Sequence, residues 1–289
     1  MVGETVKDIS QEQVLGSYEN LDPDRLLAKR SSYMNRGYWA GDCPDMDEAS
    51  EALARLLAES AGFQPGDRVL DAGCGWGDQD FFWATTWNLG HVTALNIGAK
   101  QVATATRRAQ EKGLSGVVEF KQASATDPLR PHGEFDKVVA LESAFHFNTR
   151  ETFFRNAFEA LRPGGVLATA DQPKLDSFDF AGLSADEETA IRTSIFAGIP
   201  PVENWYGSVE YAERLATAGF VDVRITSIRE HVYEPFLNYS IAAMHEAAYA
   251  ARVGDKNIEL AQRLLSNEAG LRRSISALDY VIAVAKKPL

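Results

Sequence analysis

Two groups able to move a proton stand at the ends of apolar runs. His146 closes Val139-Ala140-Leu141-Glu142-Ser143-Ala144-Phe145-His146, and Asp171 closes Ala168-Thr169-Ala170-Asp171. A neutral imidazole, with a pKa of about 6.5, can accept a proton near neutral pH, and a carboxylate beside it can orient the ring and stabilise the imidazolium. If the two runs are adjacent parallel strands, their carboxyl ends lie side by side and the residues pair as base and orienter. A third such end, Val69-Leu70-Asp71-Ala72-Gly73-Cys74-Gly75-Trp76-Gly77, leads from an apolar strand into an acidic, glycine-rich turn. Glycines there allow positive φ and close approach of backbone N–H groups to a ligand, while Asp71 at the strand tip can hold a polar or cationic group. The spacing is G-x-G-x-G with an acid two residues upstream, and that carboxylate would repel the pyrophosphate bound by the G-x-G-x-x-G dinucleotide fingerprint. The turn points to a different nucleoside-bearing cofactor.

Bringing these ends to one edge takes an open sheet. Apolar, β-branched runs predict strands over 68–72, 91–95, 117–121, 135–141 and 166–170, the composition of parallel strands covered on both faces. Helical stretches alternate with them. Asp47 is expected to cap a helix running to about residue 60, in which Leu53, Leu56 and Leu57 follow the i, i+3, i+4 rule. A second helix covers 101–112 and stops at Gly113. Another, over 151–161, turns Phe154, Ala157, Phe158 and Leu161 to one face before Arg162-Pro163-Gly164-Gly165 ends it. Segments 220–228 and 279–285 supply two further strands, and Ser208 is expected to cap the helix ending at Gly219. The chain therefore reads as a polar arm over 1–45 and an α/β domain over 46–289. Two long connections, 172–207 and 229–277, are expected to form a cap beyond the carboxyl ends of the strands, where open α/β sheets bind ligands.

Composition narrows the function. A chain of 289 residues with 45% hydrophobic content can bury a sizeable core, and a net charge of −12 without a basic cluster argues against a nucleic-acid surface. Cys43 and Cys74 alone make neither a disulfide framework nor a cysteine zinc site, and no carboxylate or histidine cluster has metal-ligand spacing. Nothing approaches the roughly 18 apolar residues of a membrane span. The expectation is a soluble, cytoplasmic protein without metal, acting on a small molecule.

The segment Asp71-Ala72-Gly73-Cys74-Gly75-Trp76-Gly77 resembles motif I of class I S-adenosylmethionine-dependent methyltransferases, specifically the branch containing sugar O-methyltransferases, terpenoid C-methyltransferases and cyclopropane synthases. The resemblance implies a Rossmann-like sheet of seven strands with one antiparallel, and S-adenosylmethionine as cofactor. Asp71 would then face the methionine ammonium, with Gly73 and Gly75 lining the cradle. Leu95-Asn96-Ile97-Gly98-Ala99-Lys100-Gln101 is similar to the branch's L-T-L-S-x-x-Q, which gives the ribose to Asn96 and Gln101. Lys121-Gln122-Ala123-Ser124-Ala125 resembles the G-D-A segment, with Ser124 in place of the acid that holds adenine and Ala125 offering backbone. Tyr33-Met34-Asn35-Arg36-Gly37-Tyr38-Trp39 looks like the x-N-x-G-Y-W element that closes over the methionine end, which assigns Tyr33 and Asn35 to the cofactor. Packing alone is an equally open role for those aromatics. Glu142 either helps seat the methionine end or is a solvated strand-end carboxylate.

The run Glu142 to Phe147 followed by Asp171 is similar to natural-product sugar O-methyltransferases, in which the histidine and aspartate serve as base and orienter. Cyclopropane synthases carry F-E-H-F here, and Phe145 replaces their glutamate. The reading is methyl transfer to a hydrophobic natural product, O-methylation assisted by His146 and Asp171. C-methylation of a prenyl or aromatic carbon is the alternative, and a cofactor-bound cyclase that transfers no methyl a further one. Trp205, Tyr206, Phe178, Phe180, Phe196 and Pro200-Pro201 are candidates for an apolar acceptor wall. The polar arm, ending in aromatics without a sheet position, suggests a homo-oligomer in which it packs on a neighbouring subunit.

Overall fold

Seven strands form one sheet in the computed structural model, which describes residues 15–16, 22, 27–41, 43–194, 201–246, 249, 251–252 and 267–289. They are β1 (Arg68–Ala72), β2 (His91–Asn96), β3 (Val118–Gln122), β4 (Phe135–Leu141), β5 (Leu161–Asp171), β6 (Val221–Ser227) and β7 (Val281–Lys286), in the order β3-β2-β1-β4-β5-β7-β6. The first five are parallel and β7 runs antiparallel to both neighbours. The strand order reverses beside β1, so its carboxyl end and that of β4 flank a natural crevice. Side chains alternate across the sheet. Val69, Val139 and Ala168 join one core, with Leu53 and Leu57 of α1 (Met46–Ala61) and Trp83 of α2 (Asp78–Thr86). Ala105 of α3 (Ala99–Glu111) packs on the same side. Leu70, Val138 and Leu167 join the opposite core, with Phe153 and Phe154 of α4 (Arg150–Ala160).

Three element ends differ from the expected ones. The cap of α1 is Asp45, whose extended backbone lets its carboxylate accept from Glu48 N at 3.1 Å. Asp47 lies inside the first turn and accepts instead from the N–H groups of Lys29 (2.8 Å), Arg30 (3.0 Å) and Ser31 (2.7 Å), which anchors the arm. Arg162-Pro163-Gly164-Gly165 is not a loop after the helix. The chain enters β5 directly, and these residues bulge between the pairs Phe135–Leu161 and Lys137–Val166, with Gly164 N donating to Lys287 O (3.0 Å) and Lys287 N to Gly165 O (2.8 Å). Ser208 is the first residue of its helix, not the cap: Gly207 caps it, and Ser208 Oγ donates to Asp279 Oδ2 at 3.3 Å.

Residues 27–41 of the arm pack on this chain's own helices. Tyr38 N donates to Ala49 O and Trp39 N to His231 O, both at 2.8 Å, and the Trp39 ring stands 4.9 Å from Tyr239 of α7 (Tyr233–Met244). Most of residues 1–26, and so most of the segment expected to reach a neighbouring subunit, lie outside the described residues. The first long connection holds α5 (Ala185–Ser194) and a 3-10 turn, Val202–Asn204, ahead of α6 (Ser208–Thr217); the second holds α7 and α8 (Glu268–Ser276). Phe196 and Pro200 fall outside the described residues, among which no helix is long and apolar enough to cross a membrane.

Candidate active site

A cavity of about 380 Å³ opens beyond the carboxyl ends of β1, β2 and β4, roofed by the arm and by Phe236 of α7. Its floor is the glycine-rich turn. Gly73 has φ +100°, and a Cβ there would stand 2.5 Å from Ser143 Cβ; Ser143 Oγ in turn donates to Ala72 O at 2.6 Å. The tips of β1 and β4 are thus stitched so closely that only glycine fits. Gly75 has φ +56°, and a Cβ there would lie 2.8 Å from Met34 Cε. Gly73 N and Cys74 N donate to Leu95 O, so this turn brings ligand and backbone close without offering those two donors.

Around that floor, Asn96 and Gln101 share one wall. Asn96 Oδ1 accepts from Gly98 N at 2.8 Å, which aims its amide, and the buried Gln101 puts Nε2 at 3.9 Å from Met34 Sδ. Ser124 and Ala125 line the cavity as well, Ser124 Oγ lying 2.8 Å from Thr126 Oγ1. Tyr33 and Asn35 line it from the arm, Asn35 Oδ1 being fixed by Gly37 N at 2.9 Å. Glycine-cleared backbone, two amides and a hydroxyl on one cavity fit the polar edges and ribose of an adenosine.

Asp71 behaves differently from expectation. It is fully buried, does not line the cavity, and accepts from Gln79 Nε2 at 3.0 Å; Gln79, itself buried, is the member of the pair that lines it. Asp80 faces Asp71 from α2, and neither its oxygens nor Asp71 Oδ1 meet a donor among the described residues. Burial pushes both carboxyls up; Asp71 then raises Asp80 further, while hydrogen bonds with Gln79 and Asp80 draw Asp71 partly back, so the pair keeps a proton.

Glu142 follows β4 with φ +52°, a strained conformation for a residue with a side chain. The strain is held by a full set of partners. Its carboxylate accepts from Arg36 N (2.7 Å), the Arg36 guanidinium, Tyr280 OH (2.8 Å) and Gln172 Nε2 (3.2 Å). Glu142 is therefore no solvated acid. It ties the arm to the ends of β5 and β7 within the cavity wall.

His146 ends a 3-10 turn, Ala144–His146, and lines the cavity half-buried, its ring 4.1 Å from that of Phe145. Burial, then the charges of Arg36 and Arg150, lower its pKa to about 3, which keeps the imidazole neutral. Asp171 is not its partner. That carboxylate is fully buried and accepts from Arg150 Nε (2.8 Å), Arg150 Nη2 (3.0 Å), Tyr211 OH (3.0 Å) and Gln172 N (2.8 Å). The strand ends are adjacent as expected, Leu141 opposite Ala170, but alternation turns Ala168 and Ala170 to one face and Thr169 and Asp171 to the other, toward α4 and α6.

The described cap aromatics also stand apart. Phe178, Phe180 and Trp205 stack on one another with Lys174 Nζ 4.2 Å from the Phe180 ring centre, and Tyr206 is buried beside Arg150. None of them lines the cavity, whose apolar surface includes Phe145, Phe147, Phe236, Met34, Met46 and Trp76.

With this geometry in view, residues 25–262 match the family described as mycolic acid cyclopropane synthetase. The chain belongs to that family. It is 38% identical to the erythromycin 3''-O-methyltransferase of Saccharopolyspora erythraea over 272 residues, 94% of this chain and 89% of that protein. Its fold matches the cyclopropane synthase MmaA2 from Mycobacterium tuberculosis with a TM-score of 0.76 at 23% identity, covering 98% of this chain and 100% of the other. The [4+2]-cyclase SpnF matches with a TM-score of 0.67 at 25% identity over 89% and 88% of the two chains. The protein is an S-adenosylmethionine-dependent methyltransferase. Its family's fold is the seven-stranded sheet inferred from motif I.

Several residues that line or brace the cavity carried no sequence signal. Gln79 is an ordinary glutamine of a helix, and Gln172 and Tyr280 lie 92 or more positions from the glycine turn yet converge on Glu142. Arg150 and Asn204 are lone polar residues whose burial follows only from the fold. Arg36 lay within the aromatic element already singled out, and its pairing with Glu142 could have been found from that proximity to the cofactor end.

Proposed function

We propose that this enzyme methylates a hydroxyl group of a hydrophobic small natural product, with His146 accepting the hydroxyl proton. The observation that carries the reading is a neutral imidazole on the wall of the cavity whose floor is the Gly73–Gly75 turn. S-Adenosylmethionine, when bound, supplies an electrophilic methyl group. The remaining work falls to the chain: holding the acceptor oxygen in line, excluding water and removing its proton. Glu142 pairs with Arg36 and Asp171 with Arg150, so each cation near His146 carries its own counter-ion. Phe147, Phe236 and Met46 give the acceptor an apolar surface. The name of the Saccharopolyspora relative, an O-methyltransferase of erythromycin, supports the same reaction class.

Purified enzyme incubated with S-adenosylmethionine and a panel of hydroxylated macrolides and glycosides tests this, with methyl incorporation read by mass spectrometry. His146→Ala is expected to lower O-methylation by about 10²- to 10⁴-fold, the usual contribution of a positioned base. Likeness to SpnF keeps a second reading in the same assay. Conversion without methyl gain, supported equally by S-adenosylhomocysteine, would replace methylation by a cofactor-bound cyclisation.

A further inference from the structure

The turn that carries His146 is held by a side chain from the first long connection. Asn204 is buried, and its Nδ2 donates both of its hydrogens to backbone carbonyls on either side of the histidine, Phe145 O at 3.1 Å and Phe147 O at 2.8 Å. Its Oδ1 accepts from Arg150 N at 2.8 Å, and its own carbonyl accepts from the Arg150 guanidinium. The rest of that guanidinium is bound by Asp171 and by Gln172 O at 3.1 Å. One amide side chain therefore uses both of its donors and its acceptor oxygen, and all three bonds fix either the His146 turn or the first residue of α4.

Resting on the reading of His146 as the base, we infer that Asn204 is its positioning residue, with Arg150 and Asp171 as the buried anchor that holds Asn204 in place. This gives Asp171 a part in the reaction through Arg150 and Asn204, and not through the imidazole. Within the turn, His146 N donates to Ser143 O and Phe147 N to Ala144 O, and the buried Phe145 and the Phe147 ring, 5.0 Å from that of Phe153, pack it on the core; the Asn204 amide adds hydrogen bonds to the backbone on both sides of the histidine. Without Asn204, the Phe145 and Phe147 carbonyls lose this donor and the ring can shift. A misplacement of about 1 Å can lower turnover about 100-fold. The cofactor cradle of Gly73, Asn96 and Gln101 receives no bond from Asn204, so its affinity should be untouched.

The test is a double-mutant cycle on the full-length enzyme with the acceptor that gives methyl incorporation, using His146→Ala, Asn204→Ala and the combination. Asn204→Asp is added because it keeps the shape and the acceptor for Arg150 N while losing the donor to the two carbonyls. Calorimetric titration with S-adenosylhomocysteine checks the cofactor site of each variant. The expected result is a 10- to 100-fold fall in kcat for both Asn204 variants at unchanged S-adenosylhomocysteine affinity, with the combined variant no slower than His146→Ala alone. Wild-type turnover in Asn204→Asp, or losses that multiply in the combined variant, would overturn the positioning role and leave the base intact. Wild-type turnover in His146→Ala would overturn both. If Asn204→Ala does not fold, Asn204→Asp decides alone, and if kcat and cofactor affinity fall together in it, the residue is structural and the inference fails.

Discussion

Replacing Asp171 by Asn separates a buried counter-ion from a direct partner of the base. Both carboxylate oxygens take an Arg150 donor: Oδ2 accepts from Nε at 2.8 Å and from Tyr211 OH, Oδ1 from Nη2 at 3.0 Å and from Gln172 N. An amide keeps only one acceptor oxygen. Whichever way it is turned, its NH2 faces an Arg150 N–H, and a guanidinium with no accessible surface is left with an unmatched donor and no counter-charge. Breaking a buried ion pair from one side costs about 3–5 kcal/mol, out of about 5–15 kcal/mol for a whole domain. At about 2–4 °C per kcal/mol, the melting temperature should fall by roughly 6–20 °C. Urea denaturation of Asp171→Asn, with Arg150→Met/Asp171→Leu as reference, measures this. The double variant replaces both charges with apolar volume and should regain most of the loss. A variant that kept wild-type stability within about 1 kcal/mol would refute the ion-pair account.

Gly73→Ala places a Cβ 2.5 Å from that of Ser143 at a φ of +100°. Strain and overpacking together should cost about 2–5 kcal/mol and weaken S-adenosylhomocysteine binding more than tenfold; calorimetry showing native affinity would remove the steric argument for the turn. His146 also gives stability a pH dependence. Its pKa is lowered from 6.5 to about 3 in the folded protein, so the unfolded chain binds this proton first as pH falls below 6.5. The stability it leaves intact above pH 6.5 should be lost at up to about 1.4 kcal/mol per pH unit toward pH 3. His146→Gln should flatten that slope, and parallel wild-type and variant curves between pH 6.5 and 4.5 would count against a buried neutral ring. The Asp71–Asp80 pair acts with the opposite sign. Folded carboxyls pushed up are fully accommodated below the unfolded value near 4, and stability drains as pH rises through their folded range, about 7 for Asp71. Asp71→Asn should therefore gain on the wild type by about 1–3 kcal/mol between pH 5 and pH 8 in urea melts, an effect absent if Asp71 is ionised throughout.

The sheet was legible because strands covered on both faces read as uninterrupted apolar runs, and the glycine turn because Gly73 and Gly75 stand at positive φ where a Cβ would collide with Ser143 or Met34. Asp171 shows where such reading stops. The run Ala168-Thr169-Ala170-Asp171 alternates small residues that fit either face, so nothing in it says which way the last side chain points; register against β4 and β7 decides that. Asp47 and Asp45 were confused for a similar reason, since both are acids at a helix start and only the backbone angles of Asp45 give the cap geometry. The convergence of Arg150, Asn204 and Asp171 is tertiary throughout, spanning 54 positions between the first two, and carries no local spacing.

Charge balance connects these details. Near the cavity, Glu142 is matched by Arg36 and Asp171 by Arg150, while His146 is neutral. The Asp71–Asp80 pair, both of whose carboxyls are pushed up, is what remains: at most a single negative charge behind the Gly73 turn, with the Gln79 amide lying between Asp71 Oδ2 and the cavity. Asp71 itself does not reach the cavity, so a cation placed beside Gly73 would meet the Gln79 amide and not a carboxylate. Removing Gln79 would leave the charge but lose its contact with the cavity, whereas removing Asp71 would leave the contact and lose the charge.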